Sequence, residues 1–265
     1  MFEANFGTIL SVKISAVIIT FNEEDSIARA VESVSWADEV LVIDSHSVDR
    51  TREIAASLGA RVIERDWPGF SEQKQFGTDE AANDWILSID ADEWVSEGLR
   101  DEIESIIESG TDLIGYRIPR LTTYMGREIR HGGWFPDRQL RFFDRRRCRW
   151  NGRVIHESVE ADDLSQVSRL SGLLMHTGAE TAAEHEEMIR NRYAPMSAQQ
   201  MQLDGVRTSG FRAVTAGTAT FLQTYVLRGG FLDGIPGIYI AYFAAQNTFL
   251  KHAILSQLQG KLPKK

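Results

Sequence analysis

The stretch ISAVIITFNEE at residues 14–24 runs a continuous β-rich segment, Ile14 to Thr20, straight into an acidic turn. A strand without polar alternation is one covered on both faces, because each of its two rows of side chains must leave water. Asn22, Glu23, Glu24 and Asp25 form a polar turn with helix-start chemistry, after which Ile27, Ala30, Val31 and Val34 recur at helical spacing. The unit then repeats. Glu39–Ile43 is a second apolar run ending at Asp44, followed by a helix opened by Asp49 and closed by Gly59. Arg61–Glu64 reads as a short third strand and Ser71–Asn83 as a helix. Trp85–Ile89 reads as a fourth strand ending in Asp90-Ala91-Asp92-Glu93, and Ser96–Glu108 as an amphipathic helix bounded by Ser96 and Gly110. Strands alternating with helices of this length predict a doubly wound, mostly parallel α/β sheet.

From Asp112–Ile118 onward the pattern changes. Residues 119–160 are rich in Arg, Gly, Trp and Pro, with short apolar runs at Leu140–Phe143 and Val154–Ile155 that suit a mixed sheet. Residues 180–202 read as a polar helix around Tyr193. Gly210–Leu258 is helical and aromatic, broken at Gly229-Gly230 and at Gly234–Gly237. A sheet domain at 13–180 with a helical appendage at 181–258 is the expected organisation.

The 265 residues carry 43% hydrophobic and 25% charged side chains, enough for a sizeable core. The net charge of −9 argues against nucleic-acid partners, whose binding rests on neutralising phosphates. The acidity is uneven: Arg117 to Arg153 holds eleven arginines against Glu128, Asp137 and Asp144. Arginine's planar fork suits phosphate, although a charge run is also simply a solvated face. Cys148 stands alone, without a disulfide partner or zinc spacing, as in a reducing compartment. Phe2–Val12 is too polar and short for a signal peptide, and no apolar run approaches the roughly 20 residues of a membrane span. A cytoplasmic protein, soluble or peripheral, is expected.

In doubly wound sheets, ligands bind beyond the carboxyl ends of the strands. Three such ends carry acids here: Glu23, Asp44, and Asp90 with Asp92. Asp-x-Asp at a strand end is a seat for Mg²⁺ or Mn²⁺, which take carboxylate oxygens together with substrate phosphates. The same residues also cap turns, but four clustered acids without a cation would repel one another.

The three segments ITFNEE (19–24), VIDSHSVDRT (42–51) and DWILSIDADE (84–93), in this order, resemble the family 2 glycosyltransferases. The similarity is nearest to the branch of lipopolysaccharide core β-1,4-glucosyltransferases. It extends through Pro136-Asp137, Leu140–Phe143, Val154-Ile155-His156-Glu157 and Gly230–Gly234, and so covers about residues 13–255. His46-Ser47-Val48 departs from the family's usual Gly-Ser-Thr-like run, and about a dozen residues precede the first motif. The resemblance implies a GT-A (nucleotide-diphospho-sugar transferase) fold and an inverting sugar transfer from a UDP-sugar to a saccharide or lipid-linked acceptor. It further implies that Thr20, Asn22 and Glu23 line the nucleotide pocket, that Asp44 holds the base and Asp90 the ribose, and that Asp92 holds the metal. A general base must accept the acceptor's proton. Asp137 and Glu157 are both available, with a slight preference for Glu157, and His156 is placed at the metal or phosphate. His131 and His176 are read as structural.

The apolar, aromatic tail Ile238–Leu250, with Tyr239, Tyr242 and Phe243, suits either a helix packed on the catalytic domain or one lying on a membrane surface. A nucleotidyltransferase would carry a glycine-rich phosphate loop where Phe21–Glu24 stands. A non-catalytic sugar-nucleotide binding module would bind without turnover.

Overall fold

The structure, a computed structural model, describes residues 12–153 and 157–260. Among these the strands are β1 (Ile14–Thr20), β2 (Glu39–Asp44), β3 (Arg61–Glu64), β4 (Trp85–Asp90), β5 (Glu93–Val95), β6 (Gly115–Tyr124), β7 (Arg127–Glu128), β8 (Asp137–Asp144), β9 (Cys148–Trp150), β10 (Val159–Ala161), β11 (Val167–Arg169) and β12 (Leu174–Thr177). The helices are α1 (Ile27–Ser33), α2 (Thr51–Ser57), α3 (Phe70–Glu80), α4 (Glu97–Ser109), α5 (Ala182–Met188), α6 (Ala194–Leu203), α7 (Gly210–Leu222) and α8 (Ile235–Leu258). Val154–Ile155, expected to extend the sheet, lies outside the described residues.

The large sheet runs β3-β2-β1-β4-β8-β6-β12-β5. Strands β3, β2, β1 and β4 are parallel, β8 runs antiparallel to both β4 and β6, and β12 is parallel to β6. The carboxyl ends of β1, β2, β4, β6 and β12 therefore share one edge with the amino end of β8. This insertion carries Asp137 to the edge where Asp90 ends its strand.

All seven residues of β1 are buried, as its composition requires. Ala16 and Ile18 join Ile27 and Val31 of α1 and Leu99 of α4 on one face, while Val17 and Ile19 join Leu41, Ile86 and Phe143 on the other. Truncating such a side chain to alanine costs about 2–5 kcal/mol. Helix α3 covers the second face closely because position 77 is glycine: a Cβ there would stand 2.5 Å from Val17 Cγ1. That approach brings the first two turns of α3 over the strand ends. The expected caps hold at α4, where Ser96 Oγ accepts from Leu99 N–H, and at Gly110, whose φ is 73°. Helix α2 begins at Thr51, two residues after Asp49, whose Oδ1 accepts the Thr51 N–H.

Between α5 and α6 the helix widens into one π-helical turn, Ile189–Tyr193. Helices α7 and α8 pack together, and the break between them is a short turn at Gly230–Asp233. Gly237 is required there, since a Cβ would collide with the carbonyl of Gly230. The aromatic tail divides between its two expected roles. Phe243 is only 5% exposed and packs 4.5 Å from the His185 ring, so it is core and not a surface anchor. Tyr242, its neighbour, is 55% exposed.

Candidate active site

The loops after β1 and β2 are tied together before they offer anything to a ligand. Asn22 has φ 54°, a conformation asparagine tolerates better than most residues. Its N–H donates to Ser47 Oγ and its Oδ1 accepts from Val48 N–H, each at 2.8 Å. Glu23 N–H donates to Thr51 Oγ1. Ser47 donates both its N–H and its hydroxyl to Asp44, whose side chain is completely enclosed. As placed, Asp44 organises this loop through both of its carboxylate oxygens. His46 turns outward to Asp66 and Glu64. Near this edge, fully buried Gln73 donates its amide to Ser45 Oγ and leaves Oε1 without a partner.

Beyond β4 lies a lattice of buried charge. Lys74, 1% exposed, holds Asp90 Oδ1 and Glu157 Oε1 at 3.0 Å each. Arg141 lies 3.4 Å from Asp90 and 3.5 Å from the enclosed Glu93. Arg120 bonds Glu93 at 3.0 Å and Asp137 at 2.7 Å. Buried charges persist only when paired, and here three cations meet four anions. Burial works against the ionised form of Asp90, but Lys74, Arg141 and Arg120 outweigh it and hold the carboxyl well below the usual carboxylate range. Glu93 also fixes the turn by accepting the Asp90 N–H.

Two buried polar atoms at this edge lack hydrogen bonds. Thr20 Oγ1 has none, and neither does Gln73 Oε1. Thr20 ends the strand next to that of Asp90, since Ile19 pairs with Asp90 in the β1–β4 register. Buried polar groups are seldom left unpaired, so these atoms are open to a water or a polar ligand.

Asp92 is more open than the acids of the lattice, its side chain 39% exposed against 33% for Asp137 and 25% for Asp90. Its partner is His176, whose Nε2 lies 3.3 Å away while Nδ1 meets Thr122 Oγ1 at 3.0 Å. From the sequence alone His176 reads as structural. Strand β12 places it opposite Glu93, a pairing invisible to local patterns. Burial raises the Glu23 pKa, and the negative charge of Asp92 raises it further. Glu23 and Asp92 thus leave an acidic, open corner that favours a cation.

Among the described residues no three His, Cys, Asp or Glu side chains converge into a ready metal cage. An exposed carboxylate with an imidazole oriented by a second hydrogen bond nevertheless fits a cation completed by substrate oxygens. Asp92 and His176 would be its protein ligands. His156, the other expected ligand, lies outside the described residues.

The two candidate bases occupy the same edge. Glu157 is held by Lys74 through Oε1, and Asp137 by Arg120 and Gln139 through Oδ2. Lys74 lies with Gly77 and Thr78 on the buried stripe of α3, a burial that the polar sequence of this helix does not signal. A lysine on such a stripe needs acidic partners.

The arginine-rich segment does not form one basic surface. Arg145 donates to the carbonyls of Thr78, Asp79 and Ala81, Arg146 pairs with Asp144 and Asp84, and Arg147 pairs with Asp162. These arginines stitch β8 and β9 to their neighbours.

The glycosyl transferase family 2 model matches residues 15–159. An uncharacterized glycosyltransferase of Rickettsia typhi is 34% identical over 259 residues, spanning 94% of this chain and 88% of that protein. The lipopolysaccharide core biosynthesis glycosyltransferase LpsC of Rhizobium meliloti is 25% identical over 259 residues, spanning 91% and 93%. Among solved structures, glucosyl-3-phosphoglycerate synthase from Mycobacterium tuberculosis, in complex with Mn²⁺, UDP and glucosyl-3-phosphoglycerate, is 23% identical. The TM-score is 0.36, over 47% of this chain and 50% of that one.

Proposed function

The chain belongs to glycosyl transferase family 2, and from that premise we propose that it moves a sugar, glucose in the first instance, from a UDP-sugar to a saccharide acceptor with inversion. The acceptor belongs to lipopolysaccharide core or another cell-envelope glycan, a reading supported by the likeness to LpsC. The observation that carries the donor site is the unpartnered buried hydroxyl of Thr20 and the Lys74-held carboxylate of Asp90 beside the open carboxylate of Asp92. A nucleoside diphosphate supplies hydroxyls for the first two and phosphates for a cation at the third. Residues 13–180 form the catalytic domain and 181–258 the helical region beside it.

Inversion needs one displacement. The acceptor oxygen forms a bond to the anomeric carbon as the bond to the diphosphate breaks, and the hydroxyl proton passes to a carboxylate. Glu157 is the preferred base and Asp137 the alternative, each anchored by a cation that fixes its orientation. Lys74, Arg120 and Arg141 position these acids and are themselves already neutralised. Mg²⁺ or Mn²⁺ held by Asp92 and His176 would stabilise the charge left on the departing diphosphate.

Work at a membrane surface, proposed here for a cytoplasmic enzyme, is supported by exposed apolar side chains of the helical region. Phe211 is 81% exposed and Leu227 80%, with Phe231, Leu232, Ile235 and Tyr242 each more than half exposed. No helix of the described residues is long and apolar enough to cross a membrane.

The test is UDP release from UDP-glucose with Mn²⁺ and a core oligosaccharide. Acceptor-dependent release supports the reading. Donor binding without release, across a panel of UDP-sugars and acceptors, would make the protein a sugar-nucleotide binding module instead.

A further inference from the structure

The α7–α8 hairpin is almost without charge. From Ala213 to Leu250 its only charged residues are Arg228 and Asp233. Asp233 is turned inward, 3% exposed, and its carboxylate accepts from the N–H groups of Arg130 and His131 and meets His131 Nδ1. The chain leaves α7 through a second π-helical turn, Gln223–Leu227, and reverses at Gly229, whose φ is 69°. At this reversal Leu227, Phe231, Leu232 and Ile235 are each more than half exposed. Single apolar side chains at a surface are ordinary, but four gathered at one turn mark a contact with something apolar.

The surroundings of this patch say what it contacts. Three exposed arginines border it, two of them from a distant part of the chain. Arg127, on β7, donates to the Leu232 carbonyl at 3.5 Å and lies against Gly234. Arg228 lies across Gly133, where a Cβ would stand 2.6 Å from its Nη1. Arg130 pairs with Glu128, but among the described residues Arg127 and Arg228 have no acid within ion-pair distance. A chain of net charge −9 thus borders its exposed apolar turn with unpaired guanidinium groups. A second copy docking through the same patch about a two-fold axis would bring these like charges together. Phosphates above acyl chains offer the complement to both parts, charge to the arginines and hydrocarbon to the side chains between them.

We propose that this turn inserts into the headgroup layer of an anionic bilayer, with Arg127 and Arg228 binding lipid phosphates while Leu227, Phe231, Leu232 and Ile235 enter the acyl boundary. The inference rests on the membrane-surface reading above and names the contacting element and the charge of the lipid. Strand β7 pairs with the last residues of β6, so the turn stands at the sheet edge that carries the acids. Docking there holds that edge close to a lipid-linked acceptor.

The experiment is co-sedimentation with vesicles of phosphatidylcholine alone and of phosphatidylcholine mixed with phosphatidylglycerol, for wild type and Arg127→Gln/Arg228→Gln, with melting temperatures as the fold control. Each arginine at an anionic surface is worth about fivefold in binding, so the double variant should bind mixed vesicles about 25-fold more weakly and phosphatidylcholine as wild type does. A second arm labels Leu232→Cys and Phe211→Cys with bimane and adds nitroxide lipid; Cys148 is buried and stays unlabelled. Phe211 begins the far end of α7, about 24 Å along the helix from Leu227. The label at 232 should be quenched at least as strongly as that at 211. Undiminished binding of the arginine variant to mixed vesicles, or weaker quenching at 232 than at 211, overturns the inference and leaves the membrane-surface reading standing. If wild type binds neither vesicle at low salt, that reading fails and the inference falls with it.

Discussion

Replacing Lys74 with methionine removes one ammonium from the charge lattice and keeps a flexible side chain of similar length. In the wild type this ammonium lies 3.0 Å from both Asp90 and Glu157, whose side chains are 25% and 20% exposed. Removing one member of a buried pair costs about 3–5 kcal/mol, chiefly because the remaining charge is left uncompensated. Asp90 keeps Arg141 at 3.4 Å, so the expected loss at pH 7 is at the low end, about 3 kcal/mol. The pH dependence separates this charge effect from lost packing. The folded-state pKa of Asp90 is depressed, so its stabilising contribution is present above the unfolded value of about 3.9 and is lost as the pH falls toward the folded value. Urea unfolding between pH 7 and pH 3 should show wild-type stability falling more steeply below about pH 4 than that of Lys74→Met, with the two curves converging. A gap under about 1 kcal/mol at pH 7, or one that stays constant into acid, would refute the electrostatic account.

Asp92→Asn should change stability by less than about 0.5 kcal/mol, because the side chain is open to solvent, yet lower turnover about a hundredfold. Unfolding curves and UDP release check the two halves separately, and turnover surviving EDTA would remove the cation from the proposal. His176→Ala should weaken Mn²⁺ binding about tenfold or more, read by titration of Mn²⁺ in the presence of UDP. Leu227→Glu/Tyr242→Glu should abolish co-sedimentation with anionic vesicles while donor hydrolysis persists, since both side chains face water. Wild type remaining in the supernatant at low salt would end the membrane-surface reading.

Local chemistry was enough to write the four parallel strands β1 to β4 and the apolar centre of β8. A short, β-branched run such as Ile14–Thr20 suits a two-sided strand, and its neighbours follow from turn and cap residues within a few positions of their ends. The order of acids at the strand ends was legible for the same reason, because a strand's last residue is a local property. The three N-terminal motifs made the family legible as well.

What local pattern could not contain is which acid is free. Asp44 and Asp92 look alike in sequence, yet one is sealed under Ser47 and the other stands open beside His176. That difference arises from contacts across tens of residues. Strand β8 inserts antiparallel between β4 and β6, which sets Arg141 against Asp90 and Asp137 against Arg120, while α3 delivers Lys74 to Glu157. Helical spacing likewise could not tell Phe243 from Tyr242, because the apolar tail has no single polar face and only its packing against α5 and the π-helical turn selects the buried side. Periodicity reports which residues leave water; charge pairing at a buried site depends on strand order, and strand order exists only once the chain has folded.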